Sequence, residues 1–430
     1  MAPPVMKSRA ALAVAAALAL LLACAAPSAA QGSGDFSAND QPPSGQPAAA
    51  DASAKFSTAK VVHTKPFTKA AMKRATQERA VELTAEQAAA LIAAAANTPA
   101  AAEEAGVESA ASYAPESGGV VPLSQGTSGF SFADTRVAKT GTAFVPNLKP
   151  AGKLFFKIGT SNYICSASLI GKSLAVTAAH CVCAFGKSTF YTDFTFVPDY
   201  DVDNPSGNVV FRGKAVIVAT SYLKGTDTCA TAGVACSNDV ALVWLDVNNG
   251  QQAFQAAGNT YYNYMINAFE ASAAPGAGFA SAAVPKYLAV TQLGYPGNWD
   301  NGGKMQMSNS PGFQYNVAVS GKTMKNIVRG TSMTGGSSGG PWLLNLGVDA
   351  AASNGANYGS VTTRNAVIAV TSWGRTDAAV KFQGASMFAT NNEFPNAAYG
   401  IRGGGNIGAL VDYACDSAGG WGLQAKGFCR

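Results

Sequence analysis

The sequence predicts an all-β protein whose antiparallel strands close into barrels or stack as a sandwich. Three observations carry this. From about Phe130 onward, short β-type runs alternate with turn residues. The 46 Gly and 14 Tyr among 430 residues suit a turn-rich β protein rather than a helix bundle. No helical period alternates with the runs, which argues against a parallel sheet with crossover helices. In order, the runs are Leu154–Ile158, Ser168–Ile170, Leu174–Thr177, Val209–Phe211, Ala215–Ala219, Val240–Leu245, Tyr287–Leu293, Phe313–Ser320, Pro341–Leu344 and Ala366–Ser372. Glycines punctuate them: Gly159 follows the first, Gly171 the second, Gly294 the seventh and Gly321 the eighth. No repeat recurs at the roughly 20–50-residue spacing of solenoids and propellers.

Composition narrows the function. Thirty Lys+Arg against 25 Asp+Glu give +5. Residues 1–145 hold 11 bases and 11 acids, so the excess lies in the remaining 285 residues, spread thinly. A nucleic-acid surface needs clustered Lys and Arg, so no nucleic-acid partner is expected. At 48% hydrophobic residues the chain is too apolar to be wholly disordered. Only two histidines, His63 and His180, are present, which excludes a multi-histidine metal centre; no metal or cofactor is expected.

The N-terminus reads as an export signal over residues 1–30. Lys7 and Arg9 precede the uncharged apolar run Ala10–Ala26, then Pro27 and the small-x-small site Ser28-Ala29-Ala30. The run's 17 residues are short for a membrane span of roughly 20, which favours cleavage over an uncleaved anchor. Lipidation at Cys24 is a third reading, weakened by Leu22 two positions before it. A secreted or periplasmic protein without stable membrane association follows, and disulfides are then permitted. Residues 31–135 form a linker and pro-segment, partly helical and partly disordered. Residues 31–55 and 97–125 are rich in Ala, Ser, Gly and Pro; between them Thr84-Ala85-Glu86-Gln87, followed by an Ala/Leu/Ile run, reads as a capped helix. A merely disordered tail is the bland alternative for this stretch.

Four short stretches carry chemistry. Thr177-Ala178-Ala179-His180-Cys181 follows an apolar run, so a strand delivers the imidazole at its end. Ser237-Asn238-Asp239 stands immediately before another strand, where a carboxylate can be buried against an imidazole. Gly335-Gly336-Ser337-Ser338-Gly339-Gly340-Pro341 surrounds Ser338 with glycines that tolerate unusual backbone angles. Val370-Thr371-Ser372-Trp373-Gly374 ends a strand whose small residues could line a substrate groove. Taken singly each has an ordinary reading: a core histidine, a turn aspartate, a glycine loop, a core tryptophan. Together they are what acyl transfer by serine needs. A hydroxyl attacks at neutral pH only if a base takes its proton. His180 serves as that base and Asp239 fixes its tautomer. The amides of Gly336 and Ser338 form the oxyanion hole, worth about 3–4 kcal/mol per donor. The chain order His, Asp, Ser matches neither subtilisin-type enzymes nor α/β-hydrolases.

With TAAHC at 177–181, NDVAL at 238–242, GSSGGP at 336–341 and SWG at 372–374, residues 140–415 resemble the chymotrypsin-like serine proteases. The resemblance implies two antiparallel six-stranded β-barrels over residues 136–430, split near 265–285, with the active site in the cleft between them. It implies a serine endopeptidase acting on proteins or peptides through His180, Asp239 and Ser338, with Ser372 bonded to Asp239. Ser332 and Met333 would stand at the primary specificity pocket, and Ser372, Trp373 and Gly374 would pair with the substrate backbone. It also implies a Cys165–Cys181 disulfide. Cys229–Cys236 and Cys415–Cys429 are expected from proximity alone, leaving Cys183 over. Animal trypsins carry Asp immediately before the nucleophile, paired with a freshly cut N-terminus; here that residue is Ser337, so activation by such an ion pair is not expected. This places the chain nearer bacterial-type and glutamyl-endopeptidase-like members. Ser332 is not acidic, and Thr371 stands where glutamyl endopeptidases carry His, so an uncharged side chain is expected before the cut. The rival reading is a catalytically silent binding or scaffold module of the same fold.

Overall fold

The computed structural model describes residues 55–77, 82–84, 86–87, 131–137, 145–272, 287–350, 361, 363–375, 381–417 and 419–430. The signal expected at 1–30, Cys24 and the Ala/Ser/Pro stretches lie outside these residues. The N-terminal part supplies β1 (Phe56–Lys60), α1 (Lys69–Arg74), β2 (Thr76–Gln77), β3 (Glu82–Leu83) and β4 (Ala133–Arg136). Then come β5 (Ala151–Ile158), β6 (Ser161–Gly171), β7 (Leu174–Thr177), β8 (Thr192–Pro198), β9 (Phe211–Ala219), a hairpin of β10 (Cys229–Thr231) and β11 (Ala235–Cys236), and β12 (Ala241–Leu245). The last group is β13 (Asn263–Tyr264), β14 (Tyr287–Gly294), β15 (Gln306–Val319), β16 (Lys322–Gly330), β17 (Pro341–Leu344), β18 (Ala366–Arg375), β19 (Phe382–Met387) and helix α2 (Gly405–Cys415).

Two six-stranded antiparallel barrels result. The first runs β9-β12-β7-β6-β5-β8 and closes where Thr195 and Phe196 pair with Arg212 and Phe211. The second runs β18-β17-β14-β15-β16-β19 and closes through the β18–β19 ladder. The chain passes between barrels after Leu245, and Asn263–Tyr264 already pairs with β18, so this passage precedes the boundary near 265–285 read from the sequence. Phe155, Phe156, Phe194, Phe196 and Phe211 fill the first barrel, all below 2% exposed. Each contributes roughly 1.5–3 kcal/mol by leaving water.

Three barrel strands had no counterpart among the apolar runs: β8, β16 and β19. In β16 the polar Asn326 and Arg329 are fully buried, which breaks the apolar signature. Asn326 is satisfied by the Cys236 carbonyl at 2.9 Å and the Trp373 indole at 2.7 Å. The extension is docked over residues 55–77. In α1, Thr68 Oγ1 accepts from the Ala71 amide at 3.1 Å and Met72 is buried. The capping box read at Thr84–Gln87 is present: Thr84 N donates to Gln87 Oε1 at 2.9 Å, and Gln87 N to Thr84 Oγ1 at 3.3 Å. The three expected disulfides, Cys165–Cys181, Cys229–Cys236 and Cys415–Cys429, are formed. Cys183 is buried, its Sγ donating to the Ala179 carbonyl at 3.4 Å. No helix among the described residues is long and apolar enough to cross a membrane.

Lys153 joins the barrels. It is 2% exposed, its Nζ donates to the Gly302 carbonyl at 2.6 Å, and it lies over the Tyr200 ring at 4.9 Å. Burial lowers its pKa to about 7. Above that pH the folded protein has released this proton while the unfolded chain still holds it, up to its ordinary value near 10.5. Because the unfolded state binds more protons than the folded one across this window, unfolding becomes less favourable as protons become scarcer, and stability rises between about pH 7 and 10.5. Lys153→Met should flatten the rise. Denaturant midpoints at pH 6.5 and pH 9 test this, and equal pH slopes in both proteins would refute it.

Candidate active site

β7 ends at Thr177, and a single tight turn, Ala179–Cys181, carries His180 past the end of the strand. The Cys165–Cys181 disulfide ties that turn to β6. Asp239 lies just before β12, the neighbour of β7 in the sheet. Its Oδ1 accepts from the His180 backbone N–H at 2.9 Å, and its Oδ2 from His180 Nδ1 at 2.8 Å and Ser372 Oγ at 2.6 Å. Asp239 is 1% and His180 4% exposed, so these charge-assisted bonds form largely out of water. Ser372 comes from β18, so the carboxylate links both barrels.

Ser338 sits on a loop shaped by its glycines. The Ser337 amide returns to the Thr334 carbonyl at 3.2 Å, and Gly336 occupies the third position of this turn with φ +93. That is the position where a type II turn needs positive φ. The Gly335 carbonyl is pinned by the Gly297 amide at 2.8 Å, which fixes the direction of the Gly336 N–H on the same peptide unit. Any Cβ on Gly336 would lie 2.6 Å from the Tyr295 carbonyl oxygen. Among the described residues, neither the Gly336 nor the Ser338 amide donates a backbone hydrogen bond.

The loop is then fastened to the strands that bear His180. The Ser166 amide donates to the Ser338 carbonyl at 2.7 Å, and Ser166 Oγ to the Gly336 carbonyl at 2.8 Å. Gly339 (φ +76) packs so closely that a Cβ there would stand 2.0 Å from Thr177 Oγ1 and 2.4 Å from the Ser166 carbonyl oxygen. The Gly339 amide donates to the Thr371 carbonyl at 2.7 Å, one residue before Ser372. His180, Asp239 and Ser338 are thus gathered where β6, β7 and β18 meet the glycine loop. Sequence reasoning named all three, and Thr177 within the TAAHC motif, but not Ser166, whose ordinary Ser identity carries no signal.

Ser337 is held without charge. Its Oγ donates to the Thr334 carbonyl at 2.7 Å and accepts from Gln383 Nε2 at 3.0 Å. Gln383 Oε1 accepts from Gln292, and Gln292 Oε1 from Arg329, which also donates to Ser308 Oγ at 2.7 Å. Arg329 is fully buried over Trp342, and burial lowers its guanidinium to about 9. This polar network holds the residue immediately before Ser338. Gln292, Ser308, Arg329 and Gln383 were invisible in sequence because each is a polar residue inside a strand.

The expected substrate-contacting residues divide. Ser372 is engaged with Asp239, and Gly374 lies at the end of β18. The Trp373 side chain is core: it is 1% exposed, packs against Phe382 and Tyr315, and lies directly over Gly384. Only its backbone is available to pair with a ligand. Met333 is buried. Ser332 donates through its amide at 2.8 Å and through its hydroxyl to Asp134 Oδ2, a carboxylate on β4. Asp134, Trp299 and Met333 line a cavity of about 280 Å3. The sequence offered no sign of this acid, which stands 198 residues before Ser332.

The family model described as Trypsin matches residues 151–390, 240 of the 430 residues. The clotting factor G beta subunit of Tachypleus tridentatus is 36% identical over 95 residues, covering 22% of this chain and 30% of that protein. The match thus spans under a third of that relative's length. A thermostable serine protease from an extremophilic microorganism is 21% identical, with a TM-score of 0.42 over 57% of this chain and 93% of that one. A protease of Arthrobacter nicotinovorans is 24% identical, with a TM-score of 0.39 over 56% and 91%. A Glu endopeptidase is 15% identical, with a TM-score of 0.36 over 60% and 91%. With two closed six-stranded barrels and a family match over more than half its length, this chain belongs to the trypsin family of chymotrypsin-like serine proteases.

Proposed function

We propose that the protein is a secreted serine endopeptidase. The observation that carries this reading is the triple engagement of Asp239 by the His180 amide, His180 Nδ1 and Ser372 Oγ. A carboxylate that accepts from Nδ1 leaves Nε2 as the proton acceptor. Ser338 Oγ attacks the substrate carbonyl carbon, and Nε2 takes the hydroxyl proton. The tetrahedral oxygen receives the Gly336 and Ser338 N–H groups. Nε2 then protonates the leaving nitrogen as the C–N bond breaks, giving the acyl-enzyme. Water, deprotonated by the same nitrogen, hydrolyses the ester and restores Ser338. Proteins and peptides are the substrates. Three disulfides suit the oxidising compartment reached by cleavage of the 1–30 signal, and residues 31–135 are the linker and pro-segment.

A fluorophosphonate probe tests the reading. Labelling should map to Ser338 and be absent from Ser338→Ala. A folded, processed chain that takes no label would instead be a binding module of the same fold.

The primary pocket takes an uncharged side chain in this proposal. Ser332 brings no charge, and both of its donors are spent on Asp134. That carboxylate repels an acidic side chain. Chromogenic peptides with Phe or Leu before the cut should react about 10-fold or more faster than their Glu counterparts. A preference for Lys or Arg that disappears in Asp134→Asn would overturn this and assign the pocket's charge to Asp134.

A further inference from the structure

The extension engages both barrels, and its direction is informative. Residues 55–77 are strapped along the first barrel. β1 adds to β9 over five residue pairs, from Phe56↔Ala219 to Lys60↔Ala215. The Asp193 carboxylate accepts from the Thr64 amide at 2.7 Å and hydroxyl at 2.6 Å, and His63 Nε2 donates to the Gly213 carbonyl at 2.7 Å. The Phe67 ring packs on Phe155 with centroids 5.7 Å apart. The strap leads to β2, which pairs with β6 at Thr76↔Tyr163 and Gln77↔Ile164. The next two residues of β6 are Cys165 and Ser166, and Ser166 holds the Ser338 carbonyl. β3 then pairs with β18 at Glu82↔Gly374 and Leu83↔Arg375, two residues beyond the Ser372 that holds Asp239. Five residue steps separate Gln77 from Glu82, a reach of at most about 18 Å. One short stretch of backbone is therefore gripped by the first barrel beside Ser166 and by the second barrel beside Ser372. Both pairings are parallel.

We propose that the two grips, Thr76–Gln77 and Glu82–Leu83, form an inhibitory clamp that occupies the substrate groove with polarity opposite to that of a substrate. The inference rests on the endopeptidase reading above. In acyl transfer the part of the substrate N-terminal to the cut lies along Ser372–Gly374 and the pocket at Ser332, with its carbonyl at the Gly336 and Ser338 amides. The leaving part departs past His180 toward the other wall, where β6 lies. A substrate therefore runs from β18 to β6, whereas the extension runs from β6 to β18. A strand edge offers alternating N–H and C=O groups and can pair with either polarity. Reversal exchanges carbonyl and nitrogen relative to Ser338 and His180. Attack would then place the leaving nitrogen away from the imidazole that must protonate it. The segment is held without being cut, and removing the extension frees the groove rather than reordering the site.

The test uses the full chain, with a recognition sequence for an unrelated protease placed within residues 97–125 so that the extension can be released after folding. A tethered segment has an effective concentration on the order of millimolar, so a segment that binds at about 10 μM slows hydrolysis about 100-fold. The uncut chain should hydrolyse a chromogenic peptide about 100-fold more slowly than the released chain. Gln77→Pro with Leu83→Pro should restore most of the rate without release. So should replacement of residues 76–83 by a Gly/Ser segment of equal length. Hydrogen exchange at Tyr163–Ile164 and Gly374–Arg375 should be slow in the unmodified chain and faster in both variants. Mass spectrometry should find the linkage from Gln77 to Glu82 intact. Equal rates before and after release, exchange unchanged in both variants, or a cut between 77 and 82 that Ser338→Ala abolishes would each overturn the clamp. If the catalytic reading is itself wrong, the released chain takes no fluorophosphonate, and exchange at the two edges still decides whether the groove is occupied.

Discussion

Replacing Ser338 by Ala should lower kcat for a peptide substrate by about 10^6-fold, and replacing His180 by Ala should cost about as much. The two groups act as one unit, so the double variant should be no slower than either single one. The residual rate reflects binding and the two loop amides, which neither substitution touches. The fold should persist in Ser338→Ala. The contacts that seat residue 338 are backbone ones, from the Ser166 amide to its carbonyl and from the Gly339 amide to Thr371. A change in unfolding free energy within about 1 kcal/mol is expected for so local a change. Steady-state kinetics of the three variants, with denaturant melts alongside, check both statements. Additive losses in the double variant would mean that His180 and Ser338 do not share a step.

Asp239→Asn should lower kcat by about 10^4-fold with little change in KM. The reason lies in the three donors facing this side chain. Oδ1 meets the His180 backbone N–H, which cannot turn into an acceptor, so the amide oxygen of the new side chain must take that place. Its NH2 then faces Nδ1 and Ser372 Oγ, where the carboxylate accepted two bonds. The imidazole responds by moving its proton to Nε2, and that nitrogen can no longer receive the Ser338 proton. Loss of the downfield Nδ1 proton resonance alongside the loss of kcat would establish this cause. An Asp239→Asn enzyme that stayed active and retained the resonance would refute it.

Legibility in the sequence followed burial and chemistry. The strands β7 and β17 were read to the residue, because each is an unbroken apolar run closed by a turn. The groups His180, Asp239 and Ser338 were legible because each sits at the end of such a run, beside residues with little other reason to be there. β16 was missed because Asn326 and Arg329 are buried through partners contributed by distant strands. Helix α2 was missed because Gly405, Gly408 and buried Asn406 occupy its first turns; Asn406 bonds the Ser237 and Met387 carbonyls across the fold. Trp373 was open to two readings in sequence, groove or core, and packing over Gly384 chose the core.

By itself the sequence determined what depends on local order: the β class, the residue types able to transfer an acyl group, their placement at strand ends, and the nearby cysteine pairs. Only the tertiary structure decided what depends on the closure of two barrels. It set Ser166 under the Ser338 loop, brought Asp134 to Ser332, ran a hydrogen-bonded chain from Ser337 to the buried Arg329, and paired the extension in parallel with β6 and β18. The reason is physical. A local signal is a pattern that neighbouring residues must satisfy together, whereas a buried hydrogen bond between residues on different strands constrains neither partner's neighbours.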